Sequence, residues 1–180
     1  MNKRKLFIYL ILLSGFVLNM LSVLVVGSSL KYLQGELNAS IEEISYVFSA
    51  SLITEVIIIP FSGWLMRLLS TRIFFLISLS GFIFSSLGCA ISDNFLSMTL
   101  FRGLQGFFGG AMIPIMVANI YILFKPKHVP IILTIAATIG TSSVALGPIL
   151  GGMLTELLDW RWMFLYNVPV GIIIFVLGYL

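Results

Sequence analysis

Charge in this chain is concentrated at the joints between long apolar runs, and that alternation limits what it can fold into. Seven of the ten Lys and Arg residues fall in three short segments: Lys3, Arg4 and Lys5; Arg67 and Arg72; Lys125 and Lys127. Six of the seven acids, Glu36, Glu42, Glu43, Asp93, Glu156 and Asp159, fall in the gaps between them. The intervening apolar stretches run to roughly 20 residues, enough as helix to cross about 30 Å of hydrocarbon. Lys and Arg are retained on the cytoplasmic side of a membrane, and this bias sets orientation. The pattern predicts an all-α membrane protein, a bundle of six transmembrane helices. It is expected to be a multi-pass protein of the cell membrane with a cytoplasmic N-terminus.

Composition agrees. The chain is 59% hydrophobic and 9% charged, with a mean hydropathy of +1.13. An ordinary soluble domain carries about 25% charged residues. The net charge of +3 is spread over separate loops with no interleaved aromatic stripe, so no nucleic-acid partner is expected. The basic residues read as topology determinants beside anionic headgroups. Cys89 and His128 are each the single residue of their type. An internal disulfide, a multi-thiolate metal site, a His cluster and Ser-His-Asp chemistry are all excluded. No metal or organic cofactor is expected, and the chain does not read as an enzyme. Lys3-Arg4-Lys5 resembles the start of a signal peptide, but the apolar run behind it is too long, so it reads as a retained span.

The spans are expected at about Phe7–Leu30, Ile44–Leu65, Ile73–Ile91, Phe95–Phe124, Val129–Leu154 and Met163–Leu180. Gly35, Asn38 and Ser40 make the first outer loop. Ser40-Ile41-Glu42-Glu43 reads as a capping box opening the second span. Ser92-Asp93-Asn94 makes a tight outer turn. Pro126 stops the fourth span. Trp160 and Trp162 sit at headgroup level in the last outer loop. The sixth span has no polar tail behind it. Residues 1–180 are therefore expected to be an N-terminal bundle, truncated at its C-terminus, whose natural partner is the missing C-terminal half.

Two ionisable residues lie inside spans. Glu55 is about 11 residues into the second span, or about 16 Å deep at 1.5 Å per residue. Arg102 is about 7 residues into the fourth, or about 10 Å deep. A lone charge at such depth costs about 2.5–3.5 kcal/mol on insertion scales, and intramembrane charges are functional by default. Arg102 can organise a polar centre in which Glu55 binds and releases a proton. Alternatively, the two form a static pair that fixes helix packing, or Glu55 reaches out into water. The fourth span also carries Gly103, Gly106, Gly109 and Gly110, and the fifth carries Gly140, Gly147, Pro148, Gly151 and Gly152. The spacings Gly106–Gly110 and Gly147–Gly151 let a neighbouring backbone approach closely. Pro148 removes a backbone donor and is expected to kink its helix.

These stretches, in this order, resemble the N-terminal half of a major facilitator superfamily transporter, most nearly its fourteen-helix drug:proton antiporter branch. Arg102-Gly103-Leu104-Gln105-Gly106 with Gly109-Gly110 is similar to the fourth-helix motif, in which the Arg is implicated in proton coupling. By that resemblance Gln105, Gly106 and Gly110 border the substrate cavity. Gly147-Pro148-Ile149-Leu150-Gly151-Gly152 is similar to the antiporter motif, with Ser143 replacing its leading glycine. Trp160-Arg161-Trp162-Met163-Phe164 and Asn167-Val168-Pro169-Val170-Gly171 are similar to the start of helix six. The gating loop after helix two is represented by Gly63, Arg67 and Arg72. Arg67 stands where the family has an acid and Ser70 where it has a second Gly. Ser22 stands where the branch tends to carry an Asp, and Glu55 is one helix away from it.

The resemblance implies secondary active transport, a proton-coupled efflux of small amphipathic compounds or drugs, with the lipid bilayer, the substrate and a proton as partners. It places helices 1, 2, 4 and 5 around the cavity and helices 3 and 6 against lipid. The alternative is a truncated fragment that inserts and moves nothing. Pairing of two half-units is a third possibility.

Overall fold

The computed structural model describes residues 3–179. Its helices are α1 (Lys3–Ser28), α2 (Leu30–Glu36), α3 (Ile41–Leu69), α4 (Thr71–Ala90), α5 (Phe95–Leu123), α6 (Val129–Leu157), α7 (Trp162–Leu165) and α8 (Asn167–Tyr179), with a 3-10 turn over Pro126–His128 before α6. Six segments are long and apolar enough to span a membrane: α1, α3, α4, α5, the turn with α6, and α7 with α8. The described residues contain no strand.

Local chemistry accounts for most boundaries. Ser40 Oγ accepts from the Glu43 amide at 3.1 Å, and Glu43 Oε2 accepts from the Ser40 amide at 2.7 Å. This reciprocal pair satisfies two N-terminal donors of α3 that would otherwise be orphaned. Asn94 Oδ1 caps α5 by accepting from the Ser97 amide at 2.9 Å. The sixth span is broken at Tyr166, between α7 and α8. Pro169 explains the break, because it has no N–H to offer the Leu165 carbonyl one turn back.

The first outer loop is more helical than expected. The chain turns at Ser29 and re-forms as α2, which contains Gly35. Only residues 37–40 remain irregular, with Asn38 at φ 48°, a conformation Asn tolerates better than most residues. Trp160 also departs from expectation. It is buried, packs edge-on against Phe164 at 6.4 Å between ring centres, and lies under the Arg161 guanidinium. Trp162 does reach the surface.

α1 and α5 form the centre. α3 and α4 pack on α5, α6 packs on α1, and α8 closes against α4 and α1. One apolar cluster fills the half nearer the basic loops around Phe16, Phe75, Phe82, Met112 and Ile115. A second fills the acidic half around Val26, Val47, Met98, Met163 and Phe164. α4 is the most buried span within the bundle. Its exposed strip is Ile73, Ile77, Phe84 and Leu87. α6 is the least covered span, followed equally by α3 and the α7–α8 span, and α3 and α6 carry rows of exposed Ile, Val and Phe along their outer faces.

Candidate functional site

Arg102 is 1% exposed, the largest side chain buried to that degree. Its Nη2 donates to Ser51 Oγ of α3 at 2.7 Å. Its Nη1 donates to Gln105 Oε1, one turn along α5. Gln105 Nε2 in turn donates to Ser86 Oγ of α4 at 2.7 Å. The guanidinium carbon lies 6.0 Å from the Phe164 ring centre. One cation thus ties α3, α4 and α5 together beneath an α7 aromatic. Its Nε has no partner among the described residues. Arg102 makes no ion pair among the described residues; the pairs of Arg161, to Asp93 at 3.0 Å and to Asp159 at 3.9 Å, do not involve it. Arg102 is therefore held by neutral oxygens.

Glu55 lies one turn beyond Ser51 on the same face of α3. Its Oε1 accepts from Asn19 Nδ2 of α1 at 3.2 Å. The static Glu55–Arg102 pair is not formed; each charge has its own neutral partner along one seam. The reason is helix geometry. Gly106 is level with Ser51 and Gly110 with Glu55, so Arg102 starts one turn before Ser51 and its side chain reaches only that far. A Cβ at Gly110 would stand 2.7 Å from Glu55 Cγ, so the missing side chain is what lets the carboxylate into the seam.

Gly106 and Gly109 share this design. A Cβ at Gly106 would strike the Ser51 carbonyl and come within 2.6 Å of Thr54 Oγ1. A Cβ at Gly109 would run into the Asn19 amide. Thr54 Oγ1 donates to the Gly103 carbonyl at 2.7 Å, a second link across the seam. Close approach of backbones is expected of such small-residue stripes. Gln105 is fully buried but reaches the Arg102 network; no cavity lining is needed to account for it.

On α6 the antiporter-like motif splits between two faces. Gly147 lies against Leu24, and Gly151 against Ser28 and Ser29, all at the α1 seam. Gly152 meets nothing within 4 Å, and Pro148 is exposed. α6 continues as one helix through Pro148. The gating-loop residues are also dispersed. Gly63 and Arg67 are exposed on α3. Arg72 donates to the Tyr179 carbonyl and stacks on its ring at 5.9 Å, tying the third span to the sixth. Between them Ser70 is the whole loop, at φ 63° and ψ 151°, a region suited to glycine.

Asn19, Ser51 and Ser86 were not singled out from sequence. Asn19 had a usable signal, a lone amide deep in an apolar run. The two serines had none, since serines commonly satisfy themselves on their own helix. Ser22 is also engaged: its Oγ accepts from Asn167 Nδ2 at 3.1 Å, joining α1 to α8. Among the described residues no group of three His, Cys, Asp or Glu could hold a metal ion.

A sequence model of the Major Facilitator Superfamily matches residues 12–180. The chain belongs to that superfamily. Relatives include the colistin resistance protein EmrB of Acinetobacter baumannii, 41% identical over 93% of this chain and 33% of that protein. The multidrug transporter protein MdtP of Bacillus subtilis is 32% identical over 91% of this chain and 31% of its own length. The inward-open xylose transporter XylE of E. coli superposes with a TM-score of 0.78, covering 96% of this chain and 46% of XylE, at 16% identity. At that identity the likeness concerns the fold. The chain spans about one third of the length of the relatives it matches. With six helices long and apolar enough to cross a membrane, this member of the superfamily is an integral membrane protein.

Proposed function

We propose that residues 1–180 are the N-terminal bundle of a proton-coupled exporter of small amphipathic compounds or drugs. The observation that carries this reading is the α3–α5 seam, where the Arg102 guanidinium is held at Ser51 and Glu55 follows one turn beyond Ser51, both buried and without an ion-pair partner among the described residues. Glu55 takes and releases the proton, and Asn19 holds its carboxylate. Arg102 keeps Ser51 and Gln105 ordered, so α3, α4 and α5 respond together when the charge at Glu55 changes. Gly106 and Gly110, and Gly147 and Gly151, are the smooth faces along which α5 and α6 shift against α3 and α1. The broad uncovered faces of α3 and α6 suit a second bundle, supplied by the missing C-terminal half. Between two such bundles a substrate site would lie near the bilayer midplane. The names of the EmrB and MdtP relatives point to antimicrobial and multidrug substrates. The basic loops and the N-terminus face the cytoplasm.

Vesicles bearing the complete protein, loaded with a panel of cationic dyes, test this reading. Efflux is expected with an imposed pH gradient and not without one; equal efflux in both conditions would remove the proton from the scheme. A second reading, favoured by the chain's coverage of about one third of its relatives, is a bundle that inserts and transports nothing by itself. Vesicles bearing residues 1–180 alone distinguish the two.

A further inference from the structure

At the membrane face opposite the Arg102 cluster, the ends of α1, α4, α5 and α8 leave a cavity of about 380 Å³ between them. It is separated from Arg102 by the 17 residues to Asn119 on α5, or about 26 Å of helix. Nothing in the transport reading uses it. Its volume lies within the range of about 300–1,000 Å³ typical of sites for small organic ligands. Arg4, Thr71 and Arg72 line it at the helix ends. Phe7, Leu12, Phe75 and Leu177 give it an apolar wall running inward.

We propose that this cavity binds one anionic phospholipid, with its phosphate at Arg4 and Arg72 and an acyl chain along the apolar wall. Charge complementarity selects this occupant. The segments at this face carry Lys3, Arg4, Lys5, Arg67, Arg72, Lys125 and Lys127 and no Asp or Glu. Arg72 donates one Nη to the Tyr179 carbonyl, and a guanidinium has five N–H donors, so others remain for a phosphate. A cationic mouth above an apolar wall at headgroup depth matches the two ends of a phospholipid. Because Arg72 also holds the end of α8, the lipid would sit across the contact that ties the third span to the sixth.

Native mass spectrometry of the delipidated 180-residue chain in detergent, titrated with short-chain phosphatidylglycerol or phosphatidylcholine, tests this. One phosphatidylglycerol should be retained in preference to phosphatidylcholine. Arg4→Ala and Arg72→Ala should each weaken retention about fivefold, the worth of one cation near an anionic surface. Arg72→Lys should keep most of it. Leu177→Trp, which fills the wall without altering charge, should abolish it and decides the matter if an arginine variant fails to fold. Lys127→Ala, on the same face but outside the cavity, should change nothing. Equal retention of the two lipids, equal loss in Lys127→Ala, or unchanged binding in Leu177→Trp would overturn the proposal. So would displacement by inorganic phosphate at the lipid's own concentration, since the apolar wall would then contribute nothing. None of these outcomes depends on proton coupling.

Discussion

Arg102 on α5 reaches across to Ser51 on α3, a 2.7 Å hydrogen bond to a neutral hydroxyl, while Glu55 sits one turn away bonded to Asn19. A buried cation without a carboxylate in contact is a poor device for stability. Its desolvation cost is not repaid by a direct counter-charge. This arrangement makes its own prediction.

Replacing Arg102 with Met should leave the fold at least as stable, within about 1 kcal/mol or better. Ser51 keeps its bond to the Phe48 carbonyl and Gln105 keeps Ser86, so few polar atoms are stranded. Gradient-driven efflux by the complete protein should be lost. Thermal unfolding and efflux measured on one preparation check both halves, and a steep fall in stability would assign Arg102 a structural role.

Glu55→Gln separates charge from shape. Gln offers the same oxygen to Asn19 Nδ2, so stability should change by less than about 1 kcal/mol. Efflux should stop responding to the pH gradient. Asn19→Leu should act differently, stranding a buried carboxylate and destabilising the bundle by about 1–3 kcal/mol. Retained pH-driven efflux in Glu55→Gln would place the proton elsewhere.

The glycines fall into two groups that sequence spacing alone does not separate. Gly106→Ala and Gly151→Ala should each cost about 1–3 kcal/mol, because the new methyl meets backbone oxygen or packed hydroxyls that cannot retreat. Gly103→Ala has only Thr54 Cγ2 at 3.7 Å, and Gly152→Ala has open space. Both should be neutral or stabilise by up to about 1 kcal/mol through helix propensity. Denaturation midpoints of the four variants give the comparison.

Ser70 occupies a backbone region that is nearly reserved for glycine. Ser70→Gly should raise stability by about 1 kcal/mol, the relieved strain exceeding the extra entropy of an unfolded glycine. A lower unfolding temperature would show that the loop is not strained.

The six spans, the capping box at Ser40, the stop at Pro126 and the superfamily can all be read from the order of residues. All of these are local. Span length follows from bilayer thickness, and caps and turns follow from the chemistry of neighbouring residues. The close approach at Gly106 and Gly110 was legible for the same reason, because four-residue spacing on a helix sets one face. The partner that each buried group meets emerges only from the packing of the helices. Arg102 takes Ser51 instead of Glu55, Glu55 takes Asn19, Trp160 turns into the core, and Gly147 and Gly151 face α1 while Gly152 does not. These pairings depend on the rotation and relative height of helices far apart in the chain. A shift of one turn, about 5.4 Å, exchanges one partner for another without altering any local pattern.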